Sequence, residues 1–278
     1  MKTIKIGMIF LLAMILSERT IAQQAETKEQ LVIPLSEPGK PYKLNVGLIN
    51  GSIKIIAYEG KDVVIDAVAE TEKKRDRAEA RDNSAGMKRI TAGNGLDISA
   101  EEKNNRITVN SNSWRMPVNV TIKVPQSEAT LKLSTINNGD ITVSNVSGEL
   151  EVSNTNGPIH LNNISGSAVA NTVNGAITVT FKSIDAKAAM AFSTLNGNLD
   201  VTFPATLKAN VKLKSDMGEM FTDFDIDADK TQPKSNRTNQ NGMYRVNVEN
   251  WVYGKINGGG PELMMKNMSG NIYIRKAK

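Results

Sequence analysis

Glycines recur at 139, 148, 157, 166 and 175, nine residues apart, which is the glycine spacing of calcium-binding β-rolls. A calcium ion takes about six to eight oxygen ligands, several of them carboxylates, so such a roll must aim an acid at the ion from every half-coil. The residue after each glycine is here Asp140, Glu149, Pro158, Ser167 and Ala176 in turn, which makes no ladder of acids. Asp140, Glu149, Glu151 and Asp200 are the acids that stacked strands could gather into the facing pair a glycosidase uses, and solvated surface charge is the simpler account of them. His160, the sole histidine, lies between inward Ile159 and Leu161 and so points outward, with no nucleophile motif to complete a triad. No Gly-Lys-Ser/Thr phosphate loop occurs, and the glycines of Asn257 to Pro261 precede no helical pattern, so that stretch reads as a loop. These residues assign no catalytic group, no cofactor and no metal, and the chain reads as a protein that is not an enzyme.

The elements that would position such groups follow from the same repeat. Inside each nine-residue phrase apolar residues stand two apart with polar ones between them, the alternation of a strand with one buried face. Asn precedes Gly139, Gly157 and Gly175 whereas Ser precedes Gly148 and Gly166, so the true period is eighteen. Ladders appear at that interval: Ile141, Ile159 and Ile177; Val143, Leu161 and Val179; Val146 and Ile164; Leu150 and Val152 with Ala168 and Ala170; Asn145 with Asn163. An antiparallel meander has no reason to prefer eighteen over nine, whereas a solenoid of two-sided coils does. The expected fold is therefore all-β, a single-stranded parallel β-solenoid, or β-helix, with roughly 18-residue coils. Its core ladder is Ile141, Val143, Ile159, Leu161, Ile177 and Val179, with matched positions ~4.8 Å apart along the stack.

The phrase extends beyond this block. Leu44, Val46, Ile49, Gly51, Ile53, Ile55 and Gly60 restate it, followed by Val63 and Ile65. Asn196-Gly197 with Leu199 and Val201, then Gly218, continue it at wider spacing, and Leu263, Met265, Met268, Gly270, Ile272 and Ile274 repeat it last. Tight corners are assigned to Gly51, Gly60, Gly139, Gly148, Gly157, Gly166, Gly175, Gly197 and Gly270. Val118, Val120, Ile122 and Val124 share one face of an ordinary strand that Pro125 ends. Trp114 and Trp251, the only indoles, read as caps buried over the ends of the stack, with sugar stacking as the alternative.

Lys2 and Lys5, an apolar run from Ile6 to Leu16, and Thr20-Ile21-Ala22 before Gln23 have the layout of a secretory signal peptide, shorter than the about 20 residues of a membrane span. Removal of residues 1–22 takes away Lys2, Lys5, Arg19 and Glu18, three positive charges and one negative, and lowers the formal charge from +5 to +3. Acids and bases are interleaved after that point, which argues against a nucleic-acid interface. No second run of spanning length follows and the chain has no cysteine, so the mature chain is expected to carry no transmembrane segment, lipid anchor or disulfide. The expected organisation is a signal peptide over 1–22 and a single β-solenoid domain over 23–278. That domain would carry a charged insertion near 70–89 and a polar excursion near 225–242.

Three stretches in order resemble the bacterial DUF4097 family of candidate adhesins, or β-strand-repeat proteins: "LINGSIKIIAYEGKDVVIDA", "KVPQSEATLKLSTINNGDITV" and "KINGGGPELMMKNMSGNIYIRK". The resemblance implies a β-solenoid exported to the cell envelope and supplies no catalytic motif. The functional expectation is a non-enzymatic envelope or surface protein, in the periplasm or at the cell surface, that presents repetitive faces to an envelope protein or a glycan. A periplasmic scaffold or signalling component is the alternative, and a polysaccharide-active enzyme a more distant one.

Overall fold

Strict apolar–polar alternation forces strands, because each segment can then bury one row of side chains while the other row meets water. The computed structural model describes residues 27–69, 96–228, 235–240, 243–248 and 251–278, and among them every regular element is a strand. The leader expected over 1–22 and the charged insertion expected near 70–89 lie outside the described residues.

The chain enters through β1 (Thr27–Pro34), then β2 (Tyr42–Asn50), β3 (Ile53–Tyr58) and β4 (Asp62–Ala69). A hairpin of β5 (Ser99–Lys103) and β6 (Arg106–Ser111) leads into β7 (Val118–Pro125). The repeat block supplies β8 (Ala129–Asn137), β9 (Ile141–Ser144), β10 (Ser147–Asn154), β11 (Ile159–Asn174) and β12 (Ile177–Ile184). Next come β13 (Met190–Asn196), β14 (Leu199–Phe203), β15 (Ala209–Met217), β16 (Met220–Thr222) and β17 (Ile226–Ala228). After β18 (Ser235–Gln240) and β19 (Met243–Val248) the chain ends through β20 (Val252–Ile256), β21 (Glu262–Ser269) and β22 (Ile272–Lys276).

Pairing arranges twenty of these strands as two faces around one core, while β18 and β19 pair only with each other. One face runs β5-β6-β2-β8-β10-β11-β13-β21-β15-β20-β17. The other runs β1-β4-β7-β3-β9-β11-β12-β14-β22-β16. β11 bends through a corner and serves both. We call these face A and face B. Each coil is therefore a strand on face A, a corner, and a strand on face B.

Like residues meet in register, and the core follows from that. Ile141, Ile159 and Ile177 stack, as do Val143, Leu161 and Val179, and all six are fully buried. Each such side chain contributes about 1.5–3 kcal/mol by burial, so a chain with 5% aromatics can hold a long core. Phe181 stacks on Phe203 at 5.1 Å and meets Phe192 edge-on at 6.4 Å, which fills one stretch of the interior with rings.

The ladder keeps an offset of eighteen at the centre, with Leu131 opposite Leu150 before it and, at the wider spacing read from the sequence, Ile177 opposite Leu199 after it. Two expectations need correction. Chain order is not stack order: β2 and β3 lie between the β6–β7 coil and the β8–β9 coil, and β21 and β22 lie between β13–β14 and β15–β16. Pairing is also not wholly parallel, since β1, β4 and β5 at one end and β17 and β20 at the other run antiparallel to their neighbours. Among the described residues these outer strands pair with every strand of the two end coils except β16. Gly60, expected at a corner, instead lies in the turn that sends the chain from β3 back as β4, antiparallel to β7. Of the polar stretch near 225–242, β17 joins β20 and β18 pairs with β19.

Candidate binding surface

The corners fix where every outward side chain points. A Cβ added at Gly139 would lie 1.8 Å from the carbonyl oxygen of Gly51, and at Gly157 2.2 Å from that of Gly139. The same contact recurs from Gly175 to Gly157, Gly197 to Gly175, and Gly270 to Gly197, so each of these corners needs the missing side chain for close approach. The second corner differs: Asn145 and Asn163 take φ of 59° and 54°, and Gly148 and Gly166 take 129° and 111°. Asparagine tolerates this left-handed region better than most residues, so the correspondence seen in the sequence has a backbone cause.

Inside the glycine corners a polar side chain, buried in all but Ser215, stitches one coil to the next. Thr135 donates to the carbonyl of Gly51 at 2.8 Å, Asn154 to Gly139 at 2.9 Å, Thr172 to Gly157 at 3.0 Å and Thr194 to Gly175 at 2.9 Å. Asn267 donates to Gly197 at 3.2 Å and Ser215 to Gly270 at 3.1 Å, which follows stack order rather than chain order. Outside the corner a second ladder runs in parallel. The amide of Asn156 donates to Asn137 at 3.1 Å, Asn174 to Asn156 at 3.0 Å and Asn196 to Asn174 at 2.8 Å. In the sequence Asn156, Asn174 and Asn196 read only as the residues before corner glycines; their recurrence at the strand ends, with Asn137, is the signal for a ladder.

Beside the asparagines stands an exposed apolar row. Ile136, Val173, Leu195 and Met268 are 47%, 39%, 44% and 44% exposed. The rows inward of it on face A are small or polar, with Ser153 opposite Asn171 and Asn171 opposite Ser193. Face B carries Thr142, His160, Thr178 and Asp200 in one outward row.

The acids singled out in the sequence are not gathered. Glu149 and Glu151 lie on face A, where Glu151 accepts from Lys132 at 2.8 Å. Asp200 lies across the core on face B, held by the Arg275 guanidinium at 2.7 and 2.9 Å, and this pairing raises Arg275 further above its ordinary range. Asp140 is at the corner after Gly139. His160 sits half-buried between Thr142 and Thr178. Among the described residues no three His, Asp or Glu side chains are placed to hold a metal ion.

Neither indole is a buried cap. Trp114 is 67% exposed on the loop between β6 and β7, with the Arg115 guanidinium 4.6 Å above its ring. Trp251 is half-buried beside β20, with the Lys212 ammonium 4.7 Å and the Lys214 ammonium 5.9 Å from its centre. An apolar ring that also attracts cations suits an outer face as well as a core.

Comparison with known proteins places this arrangement among others. The Toastrack DUF4097 family matches residues 135–275. No curated protein matches the chain. Among solved structures it is similar to a candidate cell adhesion protein from Clostridium sporogenes ATCC 15579, with a TM-score of 0.44 and 12% identity, covering 91% of this chain and 100% of that one. It is also similar to a candidate adhesin from Bacteroides fragilis NCTC 9343, with a TM-score of 0.35 and 14% identity, covering 91% of this chain and 98% of that one.

Proposed function

This chain belongs to the Toastrack DUF4097 family, and from that premise we propose that it is an exported, non-enzymatic envelope or surface protein whose stacked outer faces bind a protein or a glycan. The observation that carries the reading is the register of the outward rows. Serine, threonine and asparagine side chains repeat at the strand spacing of ~4.8 Å, on a backbone that the corner ladders hold in place. Such a surface offers many weak, aligned contacts to a partner that is itself extended. The separation of the acids on opposite faces supports binding over glycan hydrolysis, since Glu151 and Asp200 cannot flank one bond.

Export rests on the leader-like composition of residues 1–22. In the same reading residues 23–278 form one domain, and the block from β8 to β14 is a parallel β-solenoid whose coil is near 18 residues, supported by the in-register pairing of its isoleucine ladder.

Protease shaving of intact cells that express the tagged protein, with a periplasmic protein as control, tests the location. Loss of the tag while the control survives is expected for a surface binder. Survival of both would move the protein to the periplasm and make a scaffold for another envelope protein the better account, and a tag confined to the cytoplasm would end the reading.

A further inference from the structure

Close to the β15 end of face A the outward rows change from small and neutral to basic. Lys214 on β15 lies directly opposite Lys266 on β21, and Lys212 lies opposite Met264. Like charges directly opposite each other across a strand pair are destabilising, so this arrangement costs the free protein stability. Lys214 has one acid, Asp216 at 3.1 Å, and its side chain is only 21% exposed. Among the described residues Lys212 and Lys266 have no carboxylate within ion-pair distance. The Trp251 ring draws the ammonium groups of both Lys212 and Lys214 to itself, at 4.7 and 5.9 Å, which brings two cations together where repulsion alone would spread them.

The cluster does not stand alone. Tyr253 lies opposite Lys212, Ser193 opposite Lys266 and Ala191 opposite Met264, so the basic end continues into a row of small side chains leading towards Asn171 and Val169. A ligand lying along the stack, across the strands, would meet positive charge at one end and small groups as far as Asn171 and Val169, where the row reaches Glu151, itself paired with Lys132.

We propose that Lys212, Lys214 and Lys266, with Trp251 holding the first two in place, form a binding site for an anionic polysaccharide running along face A. The inference rests on the binding role proposed above and names the chemical class of the partner. Repeated carboxylate or sulfate groups on a linear chain match a short row of cations, and a sugar ring offers the apolar face that Met264, Ala191 and Val169 can meet.

The test uses the full chain, with polygalacturonate as probe and neutral dextran as control. Saturable binding of polygalacturonate that weakens with salt is expected. Replacing Lys212, Lys214 and Lys266 together by Gln should weaken it by about tenfold or more, whereas replacing Lys54, Lys61 and Lys123 together by Gln removes the same charge away from face A and should leave it nearly unchanged. Lys266→Glu separates the site from the fold, because it should abolish binding while making the protein more resistant to heat through a new pair with Lys214. Equal weakening by the two triple variants, no binding of the polymer by the unaltered chain, or lysine-dependent binding to phosphatidylglycerol vesicles in place of the polymer would each overturn the proposal. If the polymer fails while the protein is still shaved from the cell surface, this inference falls and the broader reading stands.

Discussion

At the scale of single residues the corners are the least forgiving positions. Gly157→Ala would drive a Cβ to 2.2 Å from the carbonyl oxygen of Gly139, a backbone atom that cannot step aside. A loss of at least about 1–3 kcal/mol is expected in urea denaturation, whereas Gly47→Ala, whose nearest neighbours are side-chain atoms at 3.2 and 3.6 Å, should be mild. Thr172→Val removes the donor to Gly157 and leaves a half-buried carbonyl without that partner, at a cost of about 1 kcal/mol by the same measurement. Glu102 gives a pH signature. Its carboxylate accepts from the Ser36 hydroxyl at 2.7 and 2.9 Å and from the backbone of Ser36 and Asn105, and these bonds hold it below its ordinary value. A depressed carboxyl contributes stability that is present above its unfolded pKa and is lost as pH falls through the folded one. Thermal melts across the acid range should therefore show a smaller loss in Glu102→Gln than in the unaltered protein, and identical pH profiles would contradict this role.

At the scale of elements the alternation of apolar and polar residues made most of the architecture legible. Ile159 and Leu161 face the core and His160 faces outward because a strand has no other way to place neighbours, and the glycine period exposed the coil. Ile159→Asp should place a charge in the core and unfold the stack, while Thr142→Asp on the outward row should shift the melting temperature little; equal effects would reverse the assignment of faces. What the sequence did not show was stack order. Met265 and Ile274 satisfy the same pattern as Leu213 and Thr222, and nothing in a one-dimensional repeat says that the last coil inserts between two earlier ones. The β6–β7 coil was missed for another reason: residues 112–117 replace the Asn-Gly corner with a loop that carries Trp114, so the phrase was absent although the strands were plain. Size and hydrophobicity alone place the indoles inside; that Lys212 and Lys214 lie beside Trp251, and that Arg115 turns back over the ring of its neighbour Trp114, is visible only in the fold.

At the scale of the whole molecule, the insertion of β21 and β22 pins the chain's end inside the stack. Each of them has a parallel partner on both sides. A chain cut before β21 should therefore lose the seat of β15 and β16 together with its own last coil, and fail to give a cooperative melt, which thermal denaturation followed by circular dichroism would check. The two faces that remain outward are long and in register, and on the proposed function they are where the protein meets its partner. The chain has no cysteine, so one introduced thiol marks one position without ambiguity. The most direct measurement is photo-crosslinking in intact cells from single cysteines carrying a thiol-linked photoreactive group, placed at Ser193 on face A and at Thr178 on face B. The account expects a discrete adduct from at least one of these outward positions, with the Ser193 adduct suppressed by Lys266→Glu. A protein that folds, reaches the envelope and gives no adduct from either face would contradict it.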